Sequence, residues 1–344
     1  MNNNNLKETL KNWPLIVQKY QQADPKKAVI QLVNSFLPFL GLVVLMYFSL
    51  NWSYLFTLIL AGIAAFFLVR IFIIQHDCGH QSFLKSRKWN DSIGFISSLF
   101  STVPYRYWSR THNAHHAHNG QIEHRGLGDT YFLTKDEYHN ESKWGQIRYR
   151  IYRSPLVQFV IAPIVYFSIT LRYPFTRLKG WTRIRWSFFI NNLLVLTTYA
   201  ALALVVGWQK LLLVHLPILF IFSLIAFWFF YIQHQHEDNY KEWQNNWDHL
   251  LASIKGSTYY KLPRFFRWLS GNIGLHHIHH LSSRIPNYHL QACADEHPIL
   301  NKHARILTFR KSLKCIHHKL WDEESQRMIS FREYNRNISS IEKP

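Results

Sequence analysis

Residues 54–80 read YLFTLILAGIAAFFLVRIFIIQHDCGH, an apolar run about one bilayer long that ends in two histidines four residues apart. A bilayer core of about 30 Å is crossed by roughly 20 mostly apolar helical residues, so the stretch from Tyr54 to Ile74 is predicted to span the membrane. His76 and His80 then project from one face of the helix where it emerges. Immediately upstream, Leu32 to Leu50 (LVNSFLPFLGLVVLMYFSL) is a second such run, and the few residues between the two force a hairpin. Trp186 to Val206 and Leu211 to Ile232 repeat the arrangement across the short connection GWQK. The expected fold is an all-α integral membrane protein: four transmembrane helices in two hairpins, with a cytoplasmic helical cap holding a di-metal site.

The division that follows is a cytoplasmic N-terminal segment 1–31, a first hairpin 32–74, a cytoplasmic region 75–185, a second hairpin 186–232 and a cytoplasmic C-terminal region 233–344. The hairpin tips carry only Lys210, whereas the segments between hairpins are rich in Lys and Arg. The excess of cations in cytoplasmic segments places both termini and the middle region in the cytoplasm of a plasma-membrane protein. One further apolar run, Pro155 to Leu171, is short and contains Pro155 and Pro163, so it is read as interfacial or re-entrant. MNNNNLKETLKNW at the N-terminus has no features of a cleavable signal, and the first hairpin itself directs the chain to the membrane.

Composition agrees. Apolar residues at 48% exclude disorder, and Cys78, Cys293 and Cys315 alone supply no disulfide framework. The net charge of +19 would suit nucleic acid, but the distribution argues against it. No acidic residue occurs from Ser154 to Ile232, while Arg172, Arg177, Lys179, Arg183 and Arg185 cluster between two apolar runs. A basic cluster so placed reads as a contact with anionic lipid.

Twenty-one histidines are present, and their spacing is the strongest signal in the chain. His76 and His80 lie in HDCGH; His112, His115 and His116 lie in HNAHH; His276, His279 and His280 lie in HHIHH, the same H-x-x-H-H pattern. His234 and His236 follow the fourth span in YIQHQHED. Neutral imidazole is the commonest nitrogen ligand for transition metals, and these groups exceed what one tetrahedral ion takes, so two ions are expected. The remaining histidines, His139, His215, His249, His289, His297, His303, His317 and His318, are read as ordinary side chains.

The order H-x-x-x-H, H-x-x-H-H and a late H-x-x-H-H, separated by membrane hairpins, resembles the membrane-bound fatty acid desaturases, and most of all the acyl-lipid desaturases of the Bacillus type. RIFIIQHDCGHQSF, GDTYFLT, FYIQH-x-x-ED and the stretch from YKLP to HHIHHLSSRIPNY extend the likeness over nearly the whole chain. The resemblance implies two non-haem iron ions, O2 as co-substrate and acyl chains of membrane phospholipids as substrate. It implies as metal ligands His76, His80, His112, His115, His116, His276, His279 and His280, with His234 matching the additional histidine after the last span. His236, His277, His118 and His124 are candidate supporting residues, as are Asp77, Asp129, Glu237 and Asp238, because a ligating imidazole needs a partner for its other nitrogen. Phe83, Phe95, Tyr105, Tyr107 and Trp108 are candidates for lining the acyl slot. With no dinucleotide fingerprint in the chain, the electrons come from a separate protein, by analogy ferredoxin or flavodoxin, whose acidity suits the basic face. The histidine boxes are shared with hydroxylases and ketolases, which keeps an oxygen-inserting reaction as the alternative. A histidine-rich metal transporter is the remote one, since the spans hold few ionisable residues beyond Arg70 and His215.

Overall fold

The computed structural model describes residues 3–176 and 180–341. Arg177 and Lys179 of the basic cluster lie outside these residues, and so does the side chain of Arg183. Four helices are long and apolar enough to cross a membrane: Pro25–Ser49, Tyr54–Gly79, a third within Trp181–Val206, and Trp208–His234. The chain is thus a multi-pass membrane protein. Each helix outruns its predicted apolar core for a local reason. Asp24 caps the first helix by accepting from the backbone N–H groups of Lys26 and Lys27, with Pro25 in its first turn. Ser53 caps the second, accepting from Phe56 N. The second and fourth helices continue through Gly79 and His234, so His76 and His234 ride on the spans themselves.

The hairpin tips differ. Ser49 Oγ and Thr57 Oγ1 meet at 2.7 Å across the first turn. Gly207 makes the second at φ +86°, a backbone conformation in which a Cβ would be strained. The second span is the axis of the molecule: 67% of its most apolar window is buried, against 6% for the third span. Ala61, Ala64 and Ala65 are fully buried along it, and such small side chains let helices approach closely where lipid offers no hydrophobic drive. Phe72 packs edge-on against Trp108 and Phe222, which ties the axis to the cap and to the fourth span. Arg70 is absorbed structurally. Its guanidinium donates to Trp268 O and, at 3.2 Å, to Asn34 Oδ1, and lies 4.1 Å over the Trp268 ring.

The apolar run from Pro155 to Leu171 is not one straight span but a bent helical segment. Helix Lys143–Tyr152 bends by 48° into Val157–Arg172. A π turn at Val157–Ile161 precedes Pro163, which lacks the N–H that a regular ladder would need there. Phe159 packs on Trp228 and Tyr231 near the histidine end of the fourth span, and Phe167 reaches Phe222 halfway along it. The chain then returns, with Thr176 N donating to the hydroxyl of Tyr107, itself packed on Trp181 and Phe188 at the start of the third helix.

The cap is helical around the histidines, and it adds two small sheets. Leu133–Thr134 pairs in parallel with Leu320–Trp321, whose strand pairs antiparallel with Arg327–Ile329. Thr258–Tyr260 pairs in parallel with Arg305–Leu307. The C-terminal helix Phe331–Ile341 sets Phe331 and Tyr334 against Tyr138. The polar tail, which carries no motif, is therefore a brace on the 133–152 segment.

Candidate metal centre

All nine histidines implied as ligands converge, and they do so as two groups. His76, His80, His112, His116 and His279 each offer a ring nitrogen within 4.8 Å of the others, and His115, His234 and His280 do the same. His276 joins the second group, its Nε2 lying 3.0 Å from both His234 Nε2 and His280 Nε2. The split cuts across the boxes. In H-x-x-H-H on a helix the first and last histidines share a face, while the middle one is turned by about 100° from its neighbour. His112 and His116 thus enter one group and His115 the other. His276 and His280 share a group and His279 leaves it. Each H-x-x-H-H box therefore supplies both groups.

The spacing suits metal ions. His112, His116 and His279 bring Nε2 atoms together at 3.1 Å, and His115 Nε2 lies 3.1 Å from His234 Nε2. Two nitrogens bound to one ion at about 2.1 Å and at right angles sit about 3.0 Å apart. The outer nitrogens fix which lone pair points inward. His115 Nδ1 donates to Leu127 O at 3.0 Å and His234 Nδ1 to Gly256 O at 3.1 Å. His76 Nδ1 meets Asp77 Oδ1 at 2.9 Å, which leaves its Nε2 buried with no partner. Asp77 is held in turn by the backbone N–H of Asn287, 2.6 Å, and its side-chain amide, 2.8 Å, from the segment just after the third box. Burial first, and neighbouring imidazoles second, push His80, His112, His116, His279 and His280 well below the ordinary imidazole pKa. They are neutral at physiological pH, the state in which imidazole donates to a metal.

Beside this pair of groups lies a cavity of ≈ 380 Å³, within the range of small-ligand sites. His112, His115, His234 and His276 form its polar wall. Its apolar wall comes from the bent 155–175 segment (Ala162, Val165, Tyr166, Leu171, Phe175) and the fourth span (Phe227, Phe230). Tyr107 and Trp108 line it as expected, and Trp108 stacks on His112 with the rings 4.5 Å apart. Phe83, Phe95 and Tyr105 do not. They pack in a separate cluster with Ala28, Ile74 and Cys78, because they lie on the face of the cap turned to the first span.

The other candidate supporting residues lie elsewhere. His277 Nε2 bonds to Asn301, and His118 bonds to Gln121 and packs on His124. His236 is buried with neither ring nitrogen paired, outside both groups. Glu237 and Asp238 bind Arg305 and Arg327. Asp129 lines the cavity but accepts from Gln235 and Lys241, not from an imidazole. Reading the sequence for acids missed the backbone carbonyls of Leu127 and Gly256, which carry no residue-type signal. One signal was available. Gly128 has φ +72°, and a Cβ there would fall 2.7 Å from His115 Cβ, so GLGD is shaped to lie against the second box.

Four apolar helices of bilayer length, a helical cap and two histidine groups that could hold metal ions at the ends of the spans define a class of polytopic membrane proteins. The fatty acid desaturase family model matches residues 16–310. A fatty acid desaturase of Bacillus subtilis is 43% identical over 316 residues, 92% of this chain and 89% of that protein. An sn-1 oleoyl-lipid 12-desaturase of Anabaena variabilis is 25% identical, covering 83% of this chain and 79% of its own. An sn-1 acyl-lipid omega-3 desaturase (ferredoxin) of Synechocystis is 28% identical, over 68% of this chain and 66% of its own. The chain belongs to the fatty acid desaturase family and is an oxidoreductase.

Proposed function

We propose that this protein introduces a cis double bond into acyl chains of membrane phospholipids, using O2 at a non-haem di-iron centre with electrons from ferredoxin or flavodoxin. The observation that carries this reading is the placement of the apolar cavity directly against His112, His115, His234 and His276. His76, His80, His112, His116 and His279 would hold one iron; His115, His234, His276 and His280 would hold the other. When bound, two irons supply an oxidant strong enough to take hydrogen from an unactivated methylene, which redox-inert zinc does not.

The chain's own part is positioning and exclusion of water. Val165, Leu171, Phe227 and Phe230 hold the acyl chain extended against the histidine wall, and its depth of insertion selects the methylene. Asp77 fixes the tautomer of His76, and the carbonyls of Leu127 and Gly256 fix those of His115 and His234. The excess of Lys and Arg between the hairpins supports a plasma-membrane placement with both termini and the metal centre facing the cytoplasm, where an acidic electron donor meets a basic surface.

Expression in cells unable to make unsaturated lipids, with ferredoxin and its reductase supplied, tests the reading. New monoenoic acyl chains in the lipid fraction are expected. A hydroxylated or ketonic product would transfer the chain to the oxygen-inserting branch. Absence of any product from iron-loaded protein would overturn the proposal.

A further inference from the structure

On the opposite side of the 170–176 strap from the metal cavity is a second groove of ≈ 810 Å³. Arg172, Arg185, Tyr173, Trp181, Asn192 and Tyr199 contribute its polar and aromatic lining. It runs along the third span, whose apolar window is only 6% buried and so abuts lipid directly. Arg172 is the unusual member. One guanidinium nitrogen donates to Asn192 Oδ1 at 2.7 Å, and the other, Nη2, is buried without a partner. Asn192 lies seven residues beyond Arg185, about 10 Å farther along the helix, so Arg172 sits below the level at which the span emerges.

A cation at that depth is costly and is retained where it meets a counter-charge. Among the described residues, none that lines the groove supplies one. The sequence holds no Asp or Glu from Ser154 to Ile232, and no acidic residue lines either this groove or the neighbouring apolar cleft that shares Arg172, Val195 and Tyr199 with it. We infer that Arg172 and Arg185 form a seat for the phosphate of a membrane phospholipid, whose tails lie along the exposed face of the third span and into the cleft between the third and fourth spans. Arg172 supplies the buried donor and Arg185, exposed at the end of the span, the outer one. Guanidinium groups suit phosphate through paired, charge-assisted hydrogen bonds, and Tyr173, Trp181 and Trp186 are the aromatic types that anchor at the membrane interface. This seat is separate from the metal cavity, and it stands whether or not the chain desaturates lipid.

The test is native mass spectrometry of the full chain in neutral detergent. Phosphatidylglycerol is titrated against diacylglycerol with the same tails and against inorganic phosphate. The wild type is expected to retain phosphatidylglycerol at least about tenfold better than diacylglycerol. Arg172→Gln and Arg185→Gln are each expected to lower that retention about tenfold, with Arg172→Lys in between. Arg185 is exposed, so its variant keeps the test open if Arg172→Gln fails to fold. Equal retention of diacylglycerol, unchanged retention in Arg185→Gln, or inorganic phosphate binding as tightly as the lipid would each overturn the proposal.

Discussion

The two histidine groups have the same chemistry and different settings. In the second group His115 and His234 are anchored by backbone carbonyls, and all four rings are buried. In the first group His76 alone has a carboxylate behind it, and His80, His116 and His279 have buried Nδ1 atoms without partners, as His276 of the second group does. Three of the four histidines on the cavity wall belong to the second group. The difference teaches that in the inner group, which supplies three of the four cavity-wall histidines, main-chain carbonyls orient two rings, while in the outward group, which supplies one, a side-chain network through Asp77 and Asn287 orients His76.

That contrast can be broken directly. Alanine at His115 or at His279 is expected to reduce activity below detection and to lower bound iron from about two to about one per chain, measured on protein that still inserts in membranes; full activity in either variant would remove the two-group assignment. Next in size, Asp77→Asn is expected to cost about 10- to 100-fold in activity, with iron lost from the outward group under mild chelation. A change of less than about twofold would show that His76 needs no carboxylate. Gly128→Ala probes the inner group. The added Cβ meets His115 and strains a positive φ by about 1 kcal/mol, and a roughly tenfold loss of turnover with both irons retained is expected, read by single-turnover kinetics. The smallest effect is expected for His317→Ala, outside both groups, with fatty-acid profiles within about twofold of wild type.

Much of this was legible in the chain. The runs around Tyr54 to Ile74 and its three companions marked the spans, since an apolar helix of bilayer length has few alternatives in water or lipid. The interfacial or re-entrant reading of Pro155 to Leu171 rested on its length and prolines, and the segment is bent, with Phe159 and Phe167 packed on the fourth span. The supporting residues read less well. Asp77, which lies inside the first box, does support a ring, but Asp129, Glu237 and Asp238, which lie outside the boxes, serve other partners. Of the five residues expected along the slot, Tyr107 and Trp108 line the cavity, and Phe83, Phe95 and Tyr105 pack elsewhere.

The sequence by itself determined four apolar runs of bilayer length and histidine clusters in a pattern suited to metal, with nine histidines implied as ligands by the family resemblance, because bilayer thickness and helical spacing act on neighbours in the chain. Only the tertiary structure decided how those nine divide into five and four. It also decided that the apolar cavity is walled in part by a segment between the second and third boxes, and that carbonyls from Leu127 and Gly256 meet two of the rings. Those outcomes depend on which faces of distant helices meet. A backbone carbonyl, present at every residue, leaves no mark in the sequence to announce where it will be used.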